Sequence, residues 1–449
     1  MNRKFDKFEG DNFNAAKSII KILHDNGHKA FLVGGCVRDA LLGIKPGEYD
    51  ITTSALPQEV QKLFNRNVPI GESFGVILVL IDEMQFEVAT FRQEGEYKDG
   101  RHPGNVNYTE SEIEDVVRRD FTINGMLYDP IHEELHDHVN GVEDLKKGFI
   151  TTIGNAVERF NEDKLRMIRA IRFTSRFGFK MDDETFNAII DNCSLISSVS
   201  KERIRDEIIK IITQNNPGDG LKLLSHTGLL KEILPDVHTM IGVEQPPQFH
   251  PEGDVFIHTC LVLEKLHKNT GGIYSAELAM GALLHDVGKP PTFEVSDRIR
   301  FNGHDRVGAS MAKGICRNLK FSKKQIERIV SLIREHLKFK DVRNMRQSTL
   351  KRFLATPYIE EHLEMHLADC QASHGITEIY EYLKDKLENL EDDEIKPPPL
   401  ISGIDLIGLG FKPGPIFKTI LDKIEEQQLE GAISSKEKAL DYISKNFSQ

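Results

Sequence analysis

The chain has few cysteines, no CxxC pair, no long apolar run, no tandem repeat and no excess of basic charge. Its cysteines, Cys36, Cys193, Cys260, Cys316 and Cys370, lie far apart. That spacing argues against a disulfide framework and a thiolate zinc cluster, and fits buried free thiols in a reducing compartment. No apolar stretch reaches the roughly 18 residues that a membrane helix needs. The charged start, MNRKFDKFEGDNFN, runs into an amphipathic segment instead of a signal-like apolar core. A soluble cytoplasmic protein without a membrane partner is expected. Lys plus Arg number 58 against 70 Asp plus Glu, a net charge of -12, so any nucleic-acid surface must be a local basic patch.

What is present suffices for substantial cores: 449 residues, 39% of them hydrophobic. At about 150 residues per domain this suggests about three domains. The first 150 residues mix strands and helices. Ala15 to His24 has a helical apolar pattern, and Lys29 to Val33 reads as a strand ending at Gly34-Gly35. Val37 to Leu42 reads as a helix and Tyr49 to Ile51 as a strand. Gly75-VILVLI-Asp82 and Gln85-FEVATF-Arg92 form an expected hairpin, and TINGMLY a further strand. Gln93 to Val117 is a polar, turn-rich excursion. From Asn155 onward the pattern is largely helical. Near Leu387, LENLEDDEIKPPPL reads as an exposed, locally stiff linker before a small appendage of turn and helix. The expected fold is thus an α+β N-terminal domain over 1–150, then mostly α-helical domains over 151–245, 246–385 and 397–449.

Several constellations carry chemistry. Gly34 and Gly35 at a strand end let backbone amides approach phosphate, with Arg38 on the following helix. Glu48 and Asp50 point to one face of a strand, where two like charges need solvent or a cation, and Glu87 on the neighbouring strand adds a third carboxylate. Oxygen donors beside a phosphate loop suit Mg²⁺ and phosphoryl transfer. Arg118, Arg119, Asp120 and Asn124 offer donors for phosphate and partners for sugar hydroxyls. Glu162, Asp163, Arg166 and Arg169 lie on one expected helix, with Asp163 and Arg166 as neighbours on one face. Arg166, Arg169, Arg172, Arg176 and Lys180 recur at about one-turn spacing as a basic stripe that Arg203, Arg205 and Lys210 extend, suited to RNA phosphates. In the middle of the chain His258, His285, Asp286, His304, His336 and Asp369 offer imidazole and carboxylate ligands for a transition metal, and Lys289 a phosphate contact or a helix-end cap.

In order, GGCVRDALLG, EYDI, EVATFR, RRDFTINGML and ERFNEDKLRMIRAIRF resemble the successive motifs of the class II tRNA nucleotidyltransferase and bacterial poly(A) polymerase family, within the polymerase-beta-like superfamily, over roughly residues 15–215. The resemblance implies a polymerase-beta-like nucleotidyltransferase head over 1–150, catalytic Mg²⁺ held by Glu48 and Asp50, and ribose and triphosphate binding at Arg118, Arg119, Asp120 and Asn124. It further implies an amino-acid template, Glu162, Asp163 and Arg166, that reads CTP or ATP, and a mobile loop within Gln93–Val117. The family commonly has Asp where Glu48 stands. Residues 250–375 resemble an HD-superfamily phosphohydrolase domain. Its principal ligands would be His258, His285, Asp286 and Asp369, with His304 and His336 as additions and Ni²⁺ or Mn²⁺ as the metal.

Together these imply addition of CMP and AMP, from CTP and ATP, to the tRNA 3′ end, with phosphohydrolase activity alongside. Alternatives are an A-adding or CC-adding enzyme, a poly(A) polymerase, or a phosphohydrolase whose N-terminal half only binds RNA. A purely structural RNA-binding protein would leave both ligand sets unexplained.

Overall fold

The computed structural model describes residues 5–71, 75–94, 106–248, 250–390 and 392–447. The stretch 95–105 of the Gln93–Val117 excursion lies outside them. The chain divides into two compact units, Met1–His238 and Thr239–Gln449.

The first unit is built on a seven-stranded sheet: β1 (Ala30–Val33), β2 (Asp50–Thr53), β3 (Asn67–Gly71), β4 (Val76–Ile81), β5 (Met84–Thr90), β6 (Leu127–Asp129) and β7 (Glu134–His136), in the order β3-β4-β5-β2-β1-β6-β7. β2 and β5 run parallel, and the other neighbours antiparallel. The expected β4–β5 hairpin is present, with Asp82 in the left-handed region at its turn. The TINGMLY stretch departs from expectation: Thr122–Asn124 is a 3-10 turn, and only Leu127–Asp129 joins the sheet.

Helix α1 (Asp11–Asp25) buries Ala15, Ala16, Ile19, Ile20 and Leu23, the 3–4 spacing seen in the sequence. Removing each of the larger side chains from water stabilises the unit by about 2 kcal/mol. Three more short helices frame the site: α2 (Gly35–Leu41), α3 (Pro57–Leu63) and α4 (Glu112–Val117). Beyond the sheet the first unit becomes helical, with α5 (Ala156–Glu162), α6 (Leu165–Phe177) and α7 (Lys201–Thr213), and α6 packs on α7.

The second unit is mostly helical. α8 (Val255–Asn269) packs on α9 (Ala276–Leu284) and on α12 (Ile359–Ala372), while α10 (His304–Asn318) packs on α11 (Lys323–Glu335). The acidic stretch near residue 390 is not wholly an exposed linker, because Ile395 is buried against Phe353 and Leu383. The C-terminal appendage has its own core of Leu406, Phe411, Ile420, Ile424 and Ile443. It comprises helices Gly403–Gly408, Pro415–Leu429 and Lys436–Asn446, more than the turn and single helix that the sequence suggested.

Candidate functional site

Two constellations form, one in each unit. In the first, β1 ends at Val33 and the chain turns through Gly34, whose φ of 74° and ψ of -127° suit only glycine. Val33 pairs with Asp50. On the other side Ile51 lies opposite Val88 of the parallel β5, so Asp50 and Glu87 stand level, one residue back on each strand. Ile51 and Val88 are buried, while Glu48, Asp50 and Glu87 are open to solvent. The sheet therefore brings all three acids to the strand end beside the glycine turn. Partial desolvation raises the Asp50 carboxyl to about 6; Glu87 and Glu48 push the same way and Arg119 opposes them. Among the described residues, the oxygens of these acids do not all lie within 4.8 Å of one another. Like charges held apart are what Coulomb repulsion dictates, and carboxylate oxygens gathered at one strand end suit a hard cation such as Mg²⁺.

The basic residues around this turn are organised by an acid that the sequence analysis did not single out. Asp115 on α4 is fully buried. Arg118 donates to its Oδ1 through Nε and Nη2 (2.8 and 2.6 Å), Arg119 Nη2 to its Oδ2 (2.9 Å), and Thr52 of β2 also donates to Oδ2 (3.1 Å). Burial works to raise the Asp115 carboxyl, but Arg119 and Arg118 overcome it and hold it at about 2. Arg119 Nη1 lies 3.9 Å from where a Gly34 side chain would begin, so its guanidinium faces the turn.

Asp120 plays a parallel part. Arg169 grips its Oδ2 through Nε and Nη2 (2.8 and 2.5 Å), and Asn124 donates to its Oδ1 (3.0 Å). Burial would raise this carboxyl as well, yet Arg169 and Asn124 hold it well below the usual range. Arg38 is buried, donates to Asn124 Oδ1 (2.5 Å) and Asp39 Oδ1 (2.8 Å), and stacks on Phe177. Arg38, Asp120, Asn124 and Arg169 thus form one connected network.

The EDKLR segment departs from the expected single helix. α5 ends at Glu162, and Asp163 is extended, with φ -138° and ψ 103°. α6 then starts at Leu165, whose N–H donates to Asp163 Oδ1 (3.0 Å). Asp163 and Arg166 are therefore not partners on one face. Asp163 is held by Arg203 of α7 through Nη1 and Nη2 (3.2 and 2.7 Å), and Arg166 donates to Glu162 Oε2 (2.6 Å) and to the Arg118 carbonyl (2.9 Å).

The basic stripe also needs correction. Arg166 and Arg172 are buried, Arg172 with its Nε 2.8 Å from Glu207 Oε2. An Arg so paired in the interior does not present a surface to RNA. Arg176 reaches Asp39 (3.3 Å), Lys180 stands exposed beyond the end of α6, and Arg205 pairs with Asp206 (2.9 Å).

The second constellation gathers all six residues named for it. His258 comes from α8, His285 and Asp286 follow α9, His304 opens α10, His336 follows α11, and Asp369 lies on α12. Gly288 lets this turn meet α10: a side chain there would start 2.2 Å from the His304 carbonyl. Each ring is oriented through Nδ1, which donates to Ala282 O from His285 (2.8 Å), to Phe301 O from His304 (2.8 Å), to Ile333 O from His336 (2.6 Å) and to Glu252 Oε1 from His258 (2.6 Å). For His285, His304 and His336 that leaves Nε2 as the inward lone pair.

His304 and His336 Nε2 are 3.2 Å apart, and Asp286 Oδ1 is 3.4 Å from His304 Nε2. His285 Nε2 is buried without a hydrogen bond. Lone pairs facing one another beside a buried carboxylate require a cation, so the donor set fits an N/O-ligated metal. Two overlapping groups, His258 with His285 and Asp286, and Asp286 with His304 and His336, place their ligand atoms within 4.8 Å. His258 Nε2 also meets Asp369 Oδ1 at 3.0 Å. Burial would lower His258, but Asp369 and Glu252 push it up to about 9, so a proton stands where a metal can replace it. Lys289 is buried and pairs with Asp286 Oδ2 (2.6 Å) and Gln245 Oε1 (2.6 Å). Glu252 and Gln245 were not anticipated, because neither carries a motif of its own. No helix among the described residues is long and apolar enough to cross a membrane.

Three family models match successive stretches: the poly A polymerase head domain over residues 30–151, the probable RNA and SrmB-binding site of polymerase A over 178–241, and the HD domain over 255–370. The CCA-adding enzyme of Bacillus pumilus (strain SAFR-032) is 42% identical over 221 residues, 49% of this chain and 55% of that protein. That of Anoxybacillus flavithermus (strain DSM 21510 / WK1) is 43% identical over 229 residues, 51% of this chain and 57% of that protein. The chain thus spans about half the length of the curated relatives it matches. In three dimensions it is similar to the Bacillus stearothermophilus CCA-adding enzyme crystallised in complex with CTP, with a TM-score of 0.77, 25% identity, and coverage of 97% of this chain and 98% of that one. The Thermotoga maritima CCA-adding enzyme complexed with tRNA_CCA shares the fold, with a TM-score of 0.61, 20% identity, and coverage of 99% and 97%. With its acids beside a glycine turn, its arginine scaffold and its histidine cluster, the chain carries stretches that match the poly A polymerase head, its RNA-binding segment and an HD domain, and it is similar in sequence and fold to CCA-adding enzymes.

Proposed function

We propose that the chain adds CMP and AMP to the tRNA 3′ end, without a nucleic-acid template, from CTP and ATP. One observation carries the reading: Asp50, Glu48 and Glu87 converge at the same strand end as the Gly34-Gly35 turn and Arg119. The primer 3′-hydroxyl attacks the α-phosphorus, a P–O bond to the primer forms as the bond to the bridging oxygen breaks, and pyrophosphate leaves. Glu48 and Asp50, with Glu87 beside them, would hold Mg²⁺, which supplies charge neutralisation on the transferring group. The glycine-turn amides and Arg118 and Arg119 hold the triphosphate. Asp120, Asn124, Arg38 and Arg169 shape the ribose side. Asp163 and Arg166, supported by Glu162, read the base.

The finer domain division follows: a head over 1–150, a recognition domain over 151–245, an HD domain over 246–385 and a tail over 397–449. Arg176, Lys180 and Arg205 would face RNA, while Arg203 is engaged by Asp163; the match of residues 178–241 to an RNA-binding model supports Lys180 and Arg205. In the second unit His258, His285, Asp286 and Asp369, with His304 and His336, would hold Ni²⁺ or Mn²⁺, which supplies Lewis acidity toward a phosphate ester. Lys289, now paired with Asp286 and Gln245, would contact that phosphate. The names and substrates of the relatives support CCA addition over poly(A) synthesis.

The test presents tRNAs ending before CCA, after CC and after CCA with each NTP in turn. CTP should be used on the first and ATP on the second, with growth stopping at CCA. Unlimited A addition, or incorporation on no substrate, would overturn the assignment.

A further inference from the structure

We infer that the first unit carries a further metal site, formed by Glu112, His136 and His138, for Zn²⁺ or a similar borderline ion. One ligand atom from each lies within 4.8 Å of the other two. The residues come from separate segments that the fold brings together. His136 ends β7, the edge strand of the sheet. His138 stands two residues on, and Glu112 lies in the first turn of α4. α4 is fixed over the sheet by Val116, buried with Phe31, Val33 and Leu127.

The ligands are available. The His136 ring lies tilted against Phe31 (4.9 Å between centroids) and meets His138 (6.2 Å); Glu134 is 3.8 Å away and largely exposed. Lys29 holds Glu112 Oε2 at 2.7 Å. Lys29 is more than half exposed, and a surface ion pair of this kind is worth at most about 1 kcal/mol. Its charge opposes a cation, and the carboxylate also accepts from its own backbone N–H. Two imidazoles and one carboxylate suit Zn²⁺ or its neighbours better than Mg²⁺ or Ca²⁺, and three protein donors leave a position for solvent.

A second trio, His24 of α1 with Asp129 and His132 at the β6–β7 hairpin, is already committed and serves as a control. His24 Nε2 sits 3.0 Å from Ala30 O, and Asp129 accepts from the Ile131 and His132 backbone and from His132 Nδ1. A metal at Glu112 would clip β7 to α4, whose next turn carries Asp115 and its grip on Arg118 and Arg119.

The test measures Zn²⁺ bound per chain by equilibrium dialysis on metal-stripped full-length protein, with a circular-dichroism melt on each variant. Because the histidine cluster of the second unit also takes metal, the readout is the difference between proteins. His136→Ala with His138→Ala should remove one Zn²⁺ per chain. Glu112→Gln should weaken that same ion at least about tenfold. Lys29→Met should tighten it, and His132→Ala should change nothing. His138 is exposed, so His138→Ala alone tests the site without threatening the fold, and should also weaken binding at least about tenfold. Equal Zn²⁺ binding by the unchanged chain and by the folded His138→Ala and double variants would overturn the proposal, as would tighter binding in Glu112→Gln.

Discussion

Glu48, Asp50 and Glu87 stand open to solvent with their oxygens apart, whereas His258, His285, Asp286, His304 and His336 are buried and each ring is fixed through Nδ1. The difference follows from what each must bind. Under the proposed function a triphosphate and a primer end would enter and leave the acid site, which fits acids that line an open strand end and whose repulsion a cation and substrate would relieve. The histidine site pays its desolvation in advance, because backbone carbonyls and Glu252 orient the rings before any metal binds. The open site should therefore respond to changes in its acids, and the closed site to changes in the groups that orient its ligands.

The largest expected effect is at the open site. Asp50→Ala should lower nucleotide incorporation, measured at saturating tRNA, by at least about 100-fold, with tRNA affinity much less changed. Near-normal turnover in the folded variant would remove Asp50 from the chemistry.

At the closed site, the group to change is one that touches no substrate. Glu252→Gln leaves His258 without its 2.6 Å carboxylate acceptor and should weaken Mn²⁺ or Ni²⁺ binding about 10–100-fold, measured by equilibrium dialysis. Unchanged affinity would show that His258 needs no orienting partner.

A smaller effect tests the base-reading assignment. Arg166→Ala removes one donor from Glu162, which Arg159 still holds, and one from the Arg118 carbonyl, so competition between CTP, ATP, UTP and GTP should become less discriminating, by about tenfold. Equal slowing with all four nucleotides would make Arg166 structural. Arg203→Ala frees Asp163 and should shift selectivity in the same assay, where loss of a phosphate contact would only weaken tRNA binding.

The smallest effect is on stability. The Asp115 carboxyl titrates at about 2 in the folded chain against an ordinary 3.8. A depressed carboxyl contributes stability above its unfolded value and loses it as pH falls from about 4 to about 2, here about 2 kcal/mol. Urea unfolding at pH 7 and pH 3 should show about half of this loss, about 1 kcal/mol, and Asp115→Asn should flatten it. An equally steep pH dependence in the variant would place the acid sensitivity elsewhere.

Much of both sites was legible because their chemistry needs particular residue types at short spacings: Gly34-Gly35 at a strand end, acids alternating around Tyr49, adjacent His285 and Asp286 in an apolar helix. What escaped was pairing across distance. Asp115 reads as one acid among several in ESEIEDVV, although Arg118 and Arg119 at i+3 and i+4 were the available signal. Glu207 captures Arg172 from 35 residues downstream, turning an expected RNA contact into a buried ion pair. The break between α5 and α6 carries no Gly or Pro; the Asp163 side chain itself, accepting from Leu165 N–H, starts the new helix.

The most direct test of this division of labour is to assay nucleotide addition and phosphodiesterase or phosphatase activity on one preparation of His285→Ala with Asp286→Ala, checked for fold and metal content. Hydrolysis should disappear while addition of CMP and AMP to tRNA persists, since the two ligand sets lie in different units and differ in donor chemistry, carboxylate oxygens in one and mainly imidazole nitrogens in the other. Hydrolysis that survives the double substitution, or addition that falls with it in a folded protein, would contradict the account.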